Sequence, residues 1–329
     1  MTHTASFPNV SRRGLLAGLS ASVFILSTAS RGMAVGQLEI VATTGMIADA
    51  ARSVGGDMVT VKGLMGAGVD PHAYRQTRTD IVAMTRADLV LWHGLYLEAQ
   101  MEDFFADLGR KRDVVAVADG LPAETLLGHE DYEGRFDPHV WMDATLWAKV
   151  IDAVEQAMST ARPDLAETFA ANAAAYKVEL TALDAYTRAS LEKLTPEQRV
   201  LVTAHDAFGY FGAAYDFEVL GVQGISTESE AGLNRISELV DTLVERDIRA
   251  VFVETSVSDR NMRALIEGAA ARGHQVSIGG SLFSDAMGAE GTYEGTYLGM
   301  IDHNVTTIAR ALGADVPTGG RLGKLAVSS

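Results

Sequence analysis

Short apolar runs alternate along the chain with segments of helical periodicity. Runs rich in Val, Ile and Leu, typical of buried parallel strands, occupy residues 38–42, 59–64, 89–92 and 114–117, and again 200–203, 219–222, 250–253 and 276–278. Apolar residues at three- and four-residue spacing predict helices at residues 47–54, 81–85, 97–108, 236–246 and 261–272. The alternation predicts an α/β fold of two lobes, each with a parallel sheet flanked by helices.

The segment between these two sets of strands predicts one long helix. Residues 164–195, bounded by Pro163 and Pro196, are rich in alanine and contain no glycine. A flexible linker would be richer in Gly, Ser or Pro, and a helix of this length would be about 48 Å long. We therefore predict lobes at 35–162 and 196–329 joined by a rigid linking helix at 163–195, with ligand release through movement of the loop 281–295.

The N-terminal residues 1–34 predict an export signal of the twin-arginine type. Arg12 and Arg13 precede an apolar stretch at residues 15–29 that is too short to span a membrane as a helix. A membrane anchor would need about 20 apolar residues or a lipid-bearing cysteine, and the sequence contains no cysteine. We expect an exported protein, most simply periplasmic.

Length and composition limit the number of domains, the partners and the metal ligands that the protein can have. The 329 residues exceed what one core usually fills, which favours two domains. A formal net charge of −16 argues against nucleic acid and anionic membranes as partners and is compatible with attraction of cations. Without cysteine, disulfides and thiolate metal ligands are excluded, so a metal would be held by His, Asp and Glu.

Two segments share an Asp-Pro-His-x-aromatic pattern, Asp70-Pro71-His72-Ala73-Tyr74 and Asp137-Pro138-His139-Val140-Trp141. Proline restricts its own φ and that of the preceding residue, so each histidine lies on a stiff backbone. Neutral imidazole is a common metal ligand, and a nearby carboxylate can set its tautomer. The repetition indicates a metal site; the alternative is two unrelated turns with capping aspartates.

Two further residues lie where an α/β sheet binds ligands. His205 follows the predicted strand at 200–203, and Asp285 lies in a loop after the last predicted strand. Ligands of such sheets bind at the carboxyl ends of the strands. Two ligands from each lobe would place a metal ion between the lobes.

These motifs together resemble the zinc and manganese solute-binding proteins, the periplasmic metal receptors of ABC importers. The resemblance runs from Ile40-Val41-Ala42-Thr43-Thr44 through both Asp-Pro-His segments, Thr203-Ala204-His205-Asp206-Ala207-Phe208 and Ser281-Leu282-Phe283-Ser284-Asp285 to Asn304. It implies that His72, His139, His205 and Asp285 are the metal ligands of two parallel-sheet lobes joined by one rigid helix. Glu228 and Glu254 match acidic positions of the family near the cleft.

The resemblance also implies a role in transport. The protein would carry Zn²⁺ or Mn²⁺ to a membrane permease driven by a cytoplasmic ATPase, and we expect a monomer without enzyme activity. Three imidazoles and one carboxylate favour zinc, and manganese-selective relatives commonly carry glutamate in place of His205. A bidentate Asp285 would instead favour manganese. Affinity should fall as the pH drops through about 6.5, where free imidazole becomes charged.

The sequence also leaves alternative functions and further histidines to be assigned. A metal-dependent hydrolase or a haem or siderophore receptor are the alternatives, although the sequence contains no His-Glu-x-x-His or Gly-x-Ser-x-Gly motif. For His93, at the end of a predicted strand, a hydrogen-bonded structural role is favoured over a ligand role. His129 lies in an acidic loop at 128–133, which is expected to be solvated, with assistance in metal capture as the weaker reading.

Overall fold

The computed structural model describes residues 1–3, 36–129, 132–229 and 231–326. Most of the predicted export signal, including Arg12 and Arg13, lies outside the described residues. The chain divides into two compact units, Met1–Gly36 and Gln37–Ser329. The helices and strands that follow belong to the second unit.

The first half of this unit is built on a four-stranded parallel sheet. Its strands are β1 (Leu38–Ala42), β2 (Val59–Gly63), β3 (Leu89–Trp92) and β4 (Asp113–Ala116), in the order β2-β1-β3-β4. All four lie within one residue of the predicted bounds. The sheet confirms the α/β class.

Helices follow the strands where capping residues allow them to begin. Thr44 caps α1 (Gly45–Gly55), and Thr77 forms a reciprocal capping box with Asp80 at the start of α2 (Arg78–Arg86). The third helix, α3 (Glu102–Leu108), is shorter than the predicted 97–108. Leu95 and Tyr96 have positive φ and a 3₁₀ turn occupies Ala99–Met101, so the chain is still turning where the helix was expected.

Two long helices come next. The sequence analysis did not predict α4 (Ala144–Ala161), although Asp143 caps it and its buried residues recur at helical spacing. The following helix, α5 (Ala166–Leu191), has 26 residues and is therefore about 39 Å long, shorter than predicted. A 3₁₀ turn at Pro163–Leu165 precedes α5, and Pro196 disfavours helix in the residues before it.

The second half contains two pairs of parallel strands. They are β5 (Val200–Thr203) with β6 (Glu218–Gly221), and β7 (Ala250–Glu254) with β8 (Ser277–Leu282). Its helices are α6 (Gly209–Tyr215), α7 (Leu233–Glu245), α8 (Arg260–Ala271) and α9 (Tyr297–Ala311). The buried face of α5 packs against α1 and α4 and also against α9. The lobe boundaries at 162 and 196 stay predictions.

Strand β8 extends four residues beyond the predicted 276–278 because it contains Gly279 and Gly280, which give no apolar signal. A Cβ atom at Gly280 would lie 2.3 Å from Cγ2 of Thr307 in α9. Glycine therefore lets α9 pack directly on the strand. Within the described ranges, no helix is long and apolar enough to cross a membrane.

Candidate metal centre

The four predicted ligands lie together at the carboxyl ends of the strands. His205 follows β5 by two residues, and Asp285 follows β8 by three. His72 lies in the segment 64–77 between β2 and α2, and His139 in the turn before α4. Each offers a ligand atom within 4.8 Å of those of the other three, and all four side chains are buried.

The distances between the donor atoms suit one small cation. Nε2 of His72 lies 3.3 Å from Nε2 of His139. Oδ1 of Asp285 lies 3.3 Å from Nε2 of His139, and Oδ2 lies 3.2 Å from Nε2 of His205. A tetrahedral zinc ion with bonds of about 2.0–2.1 Å requires ligand atoms about 3.3 Å apart.

Several of these donor atoms are buried without a hydrogen bond. Among the described residues, both carboxylate oxygens of Asp285 and Nε2 of His205 lack a hydrogen bond of good geometry, and their contacts are the ion pairs of Asp285 with His139 and His205 at 3.3 and 3.2 Å. Buried polar atoms are normally satisfied, because leaving a charged group unpaired costs free energy. A bound cation would supply the missing partner to all three atoms.

His139 is oriented by the aspartate of its own motif. Oδ1 of Asp137 accepts hydrogen bonds from the backbone N–H of His139 at 2.9 Å and from its Nδ1 at 2.7 Å. With Nδ1 protonated and engaged, Nε2 is the nitrogen that faces the other ligands. The pair is fully buried, so solvent does not compete for these bonds.

His205 has a corresponding carboxylate on another strand. Oε1 of Glu254, the last residue of β7, accepts a hydrogen bond from the backbone N–H of His205 at 2.9 Å. Oε2 of Glu254 lies 2.5 Å from Nδ1 of the ring. The placement of Glu254 beside the site, expected from the family resemblance, therefore has a structural basis in its contact with His205.

Burial and the nearby carboxylates shift the pKa values of the three histidines in different directions. Burial lowers the pKa of His139, but Asp137 and Asp285 outweigh it and raise that pKa to about 9. The pKa of His205 is raised well above its usual value, since Asp285 and Glu254 again outweigh burial. Burial dominates at His72 and lowers its pKa to about 3. Burial favours the neutral form of Asp285, but the His205 and His139 charges hold its pKa well below the usual range.

The backbone around His139 and Asp285 is fixed by a chain of buried hydrogen bonds that the sequence analysis missed. Trp141 donates from Nε1 to the carbonyl of Ser284 at 2.9 Å, and Tyr297 donates to the carbonyl of Trp141 at 2.8 Å. Tyr210 donates to the carbonyl of Asp137 at 2.8 Å. The sequence signal for these bonds was the presence of Trp141 and Tyr210, aromatic residues with a polar atom, in or next to the His139 and His205 motifs.

The remaining candidates lie near the site in other roles. His93 is buried, and its Nε2 lies 2.7 Å from the carbonyl oxygen of Pro138, in agreement with the structural role predicted for it. Glu228 accepts a hydrogen bond from Gln100 at 2.6 Å. In the loop at 128–133, Gly128 and Glu133 are exposed, whereas His129 is 8% exposed and its ring contacts Tyr132.

Comparisons with known proteins identify the family of the chain. The profile of the ZnuA family, described as Zinc-uptake complex component A periplasmic, matches residues 40–311. The manganese-binding lipoprotein MntA of Bacillus subtilis is 47% identical over 306 residues, which cover 92% of this chain and 99% of that protein. The zinc-binding protein TroA of Treponema pallidum is 48% identical over 273 residues, covering 83% of this chain and 88% of TroA.

A solved structure shares the fold. The structure of the periplasmic zinc-binding protein TroA from Treponema pallidum superimposes with a TM-score of 0.82 at 47% sequence identity, covering 84% of this chain and 99% of that one. A more distant relative of this chain, SsaB of Streptococcus sanguinis, is a metal ABC transporter substrate-binding lipoprotein, 28% identical over 282 residues that cover 84% of this chain and 89% of SsaB. The chain belongs to the ZnuA family of metal-binding receptors of ABC importers, whose members are solute-binding proteins and not enzymes.

Proposed function

We propose that this protein captures a divalent transition metal ion through His72, His139, His205 and Asp285 and delivers it to an ABC importer. The observation that carries the proposal is the convergence of the four buried side chains, whose ligand atoms lie within 4.8 Å of one another. That spacing fits a bare ion and leaves no room between the ligands for a haem or siderophore. The ion is cargo, and no reaction is required of it.

Zinc is the favoured ion. The separations of 3.3 Å from Nε2 of His139 to Nε2 of His72 and to Oδ1 of Asp285 match edges of a tetrahedral zinc shell, and three imidazoles suit zinc better than manganese. The general affinity order for divalent ions also favours zinc over manganese. This choice agrees with the name of the Treponema pallidum relative, the zinc-binding protein TroA.

Manganese is the second candidate, because both oxygens of Asp285 face the other ligands. Oδ1 lies beside His139 and Oδ2 beside His205, which would permit a bidentate carboxylate and a higher coordination number. The Bacillus subtilis relative is described as manganese-binding and a Yersinia pestis relative, YfeA, as iron-binding.

Metal analysis of protein purified without added metal, followed by competition titration with Zn²⁺ and Mn²⁺, tests the proposal. We expect one ion per chain and a higher affinity for zinc. An affinity for manganese equal to or above that for zinc would reverse the choice of ion, and a protein that binds neither would overturn the function.

We further propose that the protein acts as a monomer in the periplasm after export by the twin-arginine route. Support comes from Arg12-Arg13 and from the description of the matching family as periplasmic. Replacement of both arginines by lysine should retain the protein in the cytoplasm on cell fractionation. Normal export of that variant would exclude the route, and sizing chromatography tests the monomer.

A further inference from the structure

The four ligand residues are held in place by different sets of hydrogen bonds. His139 lies in the turn that Tyr210 and Tyr297 bond to the second half of the chain, and Trp141 of the same turn bonds the carbonyl of Ser284, next to Asp285. His139 and Asp285 are therefore parts of one hydrogen-bonded frame, and His205 joins it because its backbone N–H donates to Glu254 of β7, the strand paired with β8. The segment that carries His72, residues 64–77, is outside helices and strands.

One hydrogen bond links this segment to the opposite half of the chain at the ligand itself. Oδ1 of Asp70 accepts a hydrogen bond from the backbone N–H of His72 at 2.9 Å. Oδ2 of Asp70 accepts a hydrogen bond from the hydroxyl of Thr227 at 2.6 Å. The carboxylate thus connects the backbone of a ligand residue to a loop of the second half, and a bond to a charged acceptor is stronger than a neutral one.

A second bond lies beside the first. Nε2 of Gln100, in the first half, donates to Oε1 of Glu228 at 2.6 Å, one residue beyond Thr227. Thr227 is half-buried and Glu228 is exposed, so this loop is at the surface of the protein. Both bonds join the same loop, between β6 and α7, to the first half.

We propose that the Asp70–Thr227 hydrogen bond holds His72 against the other three ligands and sets the rate at which the metal leaves. This inference rests on the proposed function, because it assigns a role in release to a residue that does not touch the metal. When the bond opens, the 64–77 segment moves away with His72, while the other three ligands keep their frame. Thr227 is a positioning residue, and a partner protein can reach its loop from solvent.

The bond makes a specific prediction about kinetics. Loss of the Thr227 hydroxyl removes the restraint on His72 but none of the donor atoms. Metal dissociation should then accelerate by about tenfold, the effect of losing one hydrogen bond to a carboxylate. Association should change little, because the four ligands and the entry path remain.

The experiment measures zinc and manganese dissociation from the full protein by stopped-flow mixing with excess chelator. Thr227→Val removes the hydroxyl at nearly constant shape, and Thr227→Ser keeps it. Thr242→Val is the matched control, because within the described part of the chain the Thr242 hydroxyl bonds the carbonyl of Glu238 in its own helix, α7. The melting temperature of each metal-free variant is measured in parallel.

The expected result is faster release from Thr227→Val alone, with Thr227→Ser and Thr242→Val near the wild-type rate and association unchanged. Equal rates for wild type and Thr227→Val would overturn the inference, as would equal acceleration in Thr227→Ser, which would assign the effect to packing of the methyl group. A wild type that binds neither ion would overturn the proposed function itself; a wild type that binds metal while Thr227→Val releases it normally overturns only this inference.

Discussion

In both Asp-Pro-His segments, the aspartate accepts a hydrogen bond from the backbone N–H of the histidine at 2.9 Å. Beyond this shared turn the two segments differ. Asp137 also accepts from the ring of His139, in a fully buried pair. Asp70 instead accepts a hydrogen bond from Thr227 with its second oxygen. Its carboxylate therefore holds the backbone of His72 and links the segment 64–77 to the second half of the chain.

The difference sets the basicity of the two rings. The pKa of His139 is raised to about 9 because Asp137 and Asp285 outweigh the effect of burial, whereas burial lowers the pKa of His72 to about 3. One sequence pattern thus produces a charged imidazole and a neutral one at neutral pH before a cation binds. Asp137, which contacts the ring of His139, contributes most of the upward shift of that pKa, whereas at His72 the charges of His139 and His205 add to the effect of burial.

Removal of a ligand from each segment should give the largest effect. His139→Ala should lower zinc affinity by more than about 100-fold, beyond the range seen when only a partner of a ligand is lost. His72→Ala should cost less, because the three ligands left are still held by one frame. Calorimetric titration measures both, with His274→Ala, whose ring bonds the carbonyl of Ile248, as the control.

Equal losses for His72→Ala and His139→Ala would show that the frame does not distinguish the two segments. Unchanged affinity in either variant, or in Asp285→Ala, would remove that residue from the site.

Replacement of the two aspartates isolates their different contacts. Asp137→Asn removes the charge beside the ring, so the pKa of His139 should fall from about 9 and zinc affinity should drop about 10- to 100-fold. Asp70→Asn keeps an acceptor for the backbone of His72 and should lower affinity only a few-fold. NMR titration of the histidine ring signals together with calorimetry checks this, and an equal fall in affinity would contradict the comparison.

Proton release distinguishes the charged rings from the neutral one. Metal binding needs neutral imidazoles. The pKa of His139 is raised to about 9 and that of His205 well above its usual value, so at pH 7 each must lose a proton. His72, with a pKa of about 3, has none to lose. We expect about two protons released, and an affinity that rises with pH up to about 9, above the window expected for free histidine.

Calorimetry at pH 7 in two buffers of different ionisation enthalpy counts these protons. Release of no proton would contradict the assigned charges, and release of three would assign a charge to His72 as well.

A smaller effect is expected in hydrogen exchange. The sequence predicts that residues 281–295 move on release. In the structure, however, the side chain of Asn304 bonds both the N–H and the carbonyl of Phe283, and Trp141 bonds the carbonyl of Ser284. We now expect removal of metal to lower amide protection more in residues 64–77 than in residues 281–287. Hydrogen-exchange mass spectrometry with and without metal tests this expectation. A larger loss of protection in residues 281–287 than in residues 64–77 would identify the later loop as the part that moves.

Much of this could be read from the sequence because the signals are local. Apolar runs predicted β1, β3 and β5 to the residue, and the paired motifs led to His72 and His139. The features that were not predicted, such as the full length of β8, depend on packing between elements. Gly279 and Gly280 lengthen β8 for reasons visible only in its contact with α9.

The surroundings of the ligands were harder to predict than the ligands. Local spacing does not reveal that Thr227 meets Asp70, 157 positions earlier in the chain, or that Trp141 reaches Ser284. The burial of His129 likewise depends on contacts around its loop rather than on the acidic residues beside it. Such contacts follow from the fold as a whole, and they control how strongly and how long a ligand set of this kind holds a metal.

The most direct test of the central claim is anomalous diffraction at the zinc absorption edge from a crystal of the zinc-loaded protein. The account predicts one strong peak about 2.0–2.1 Å from Nε2 of His72, His139 and His205 and from a carboxylate oxygen of Asp285. A peak elsewhere, or a bound ion that does not contact one of these four residues, would contradict it.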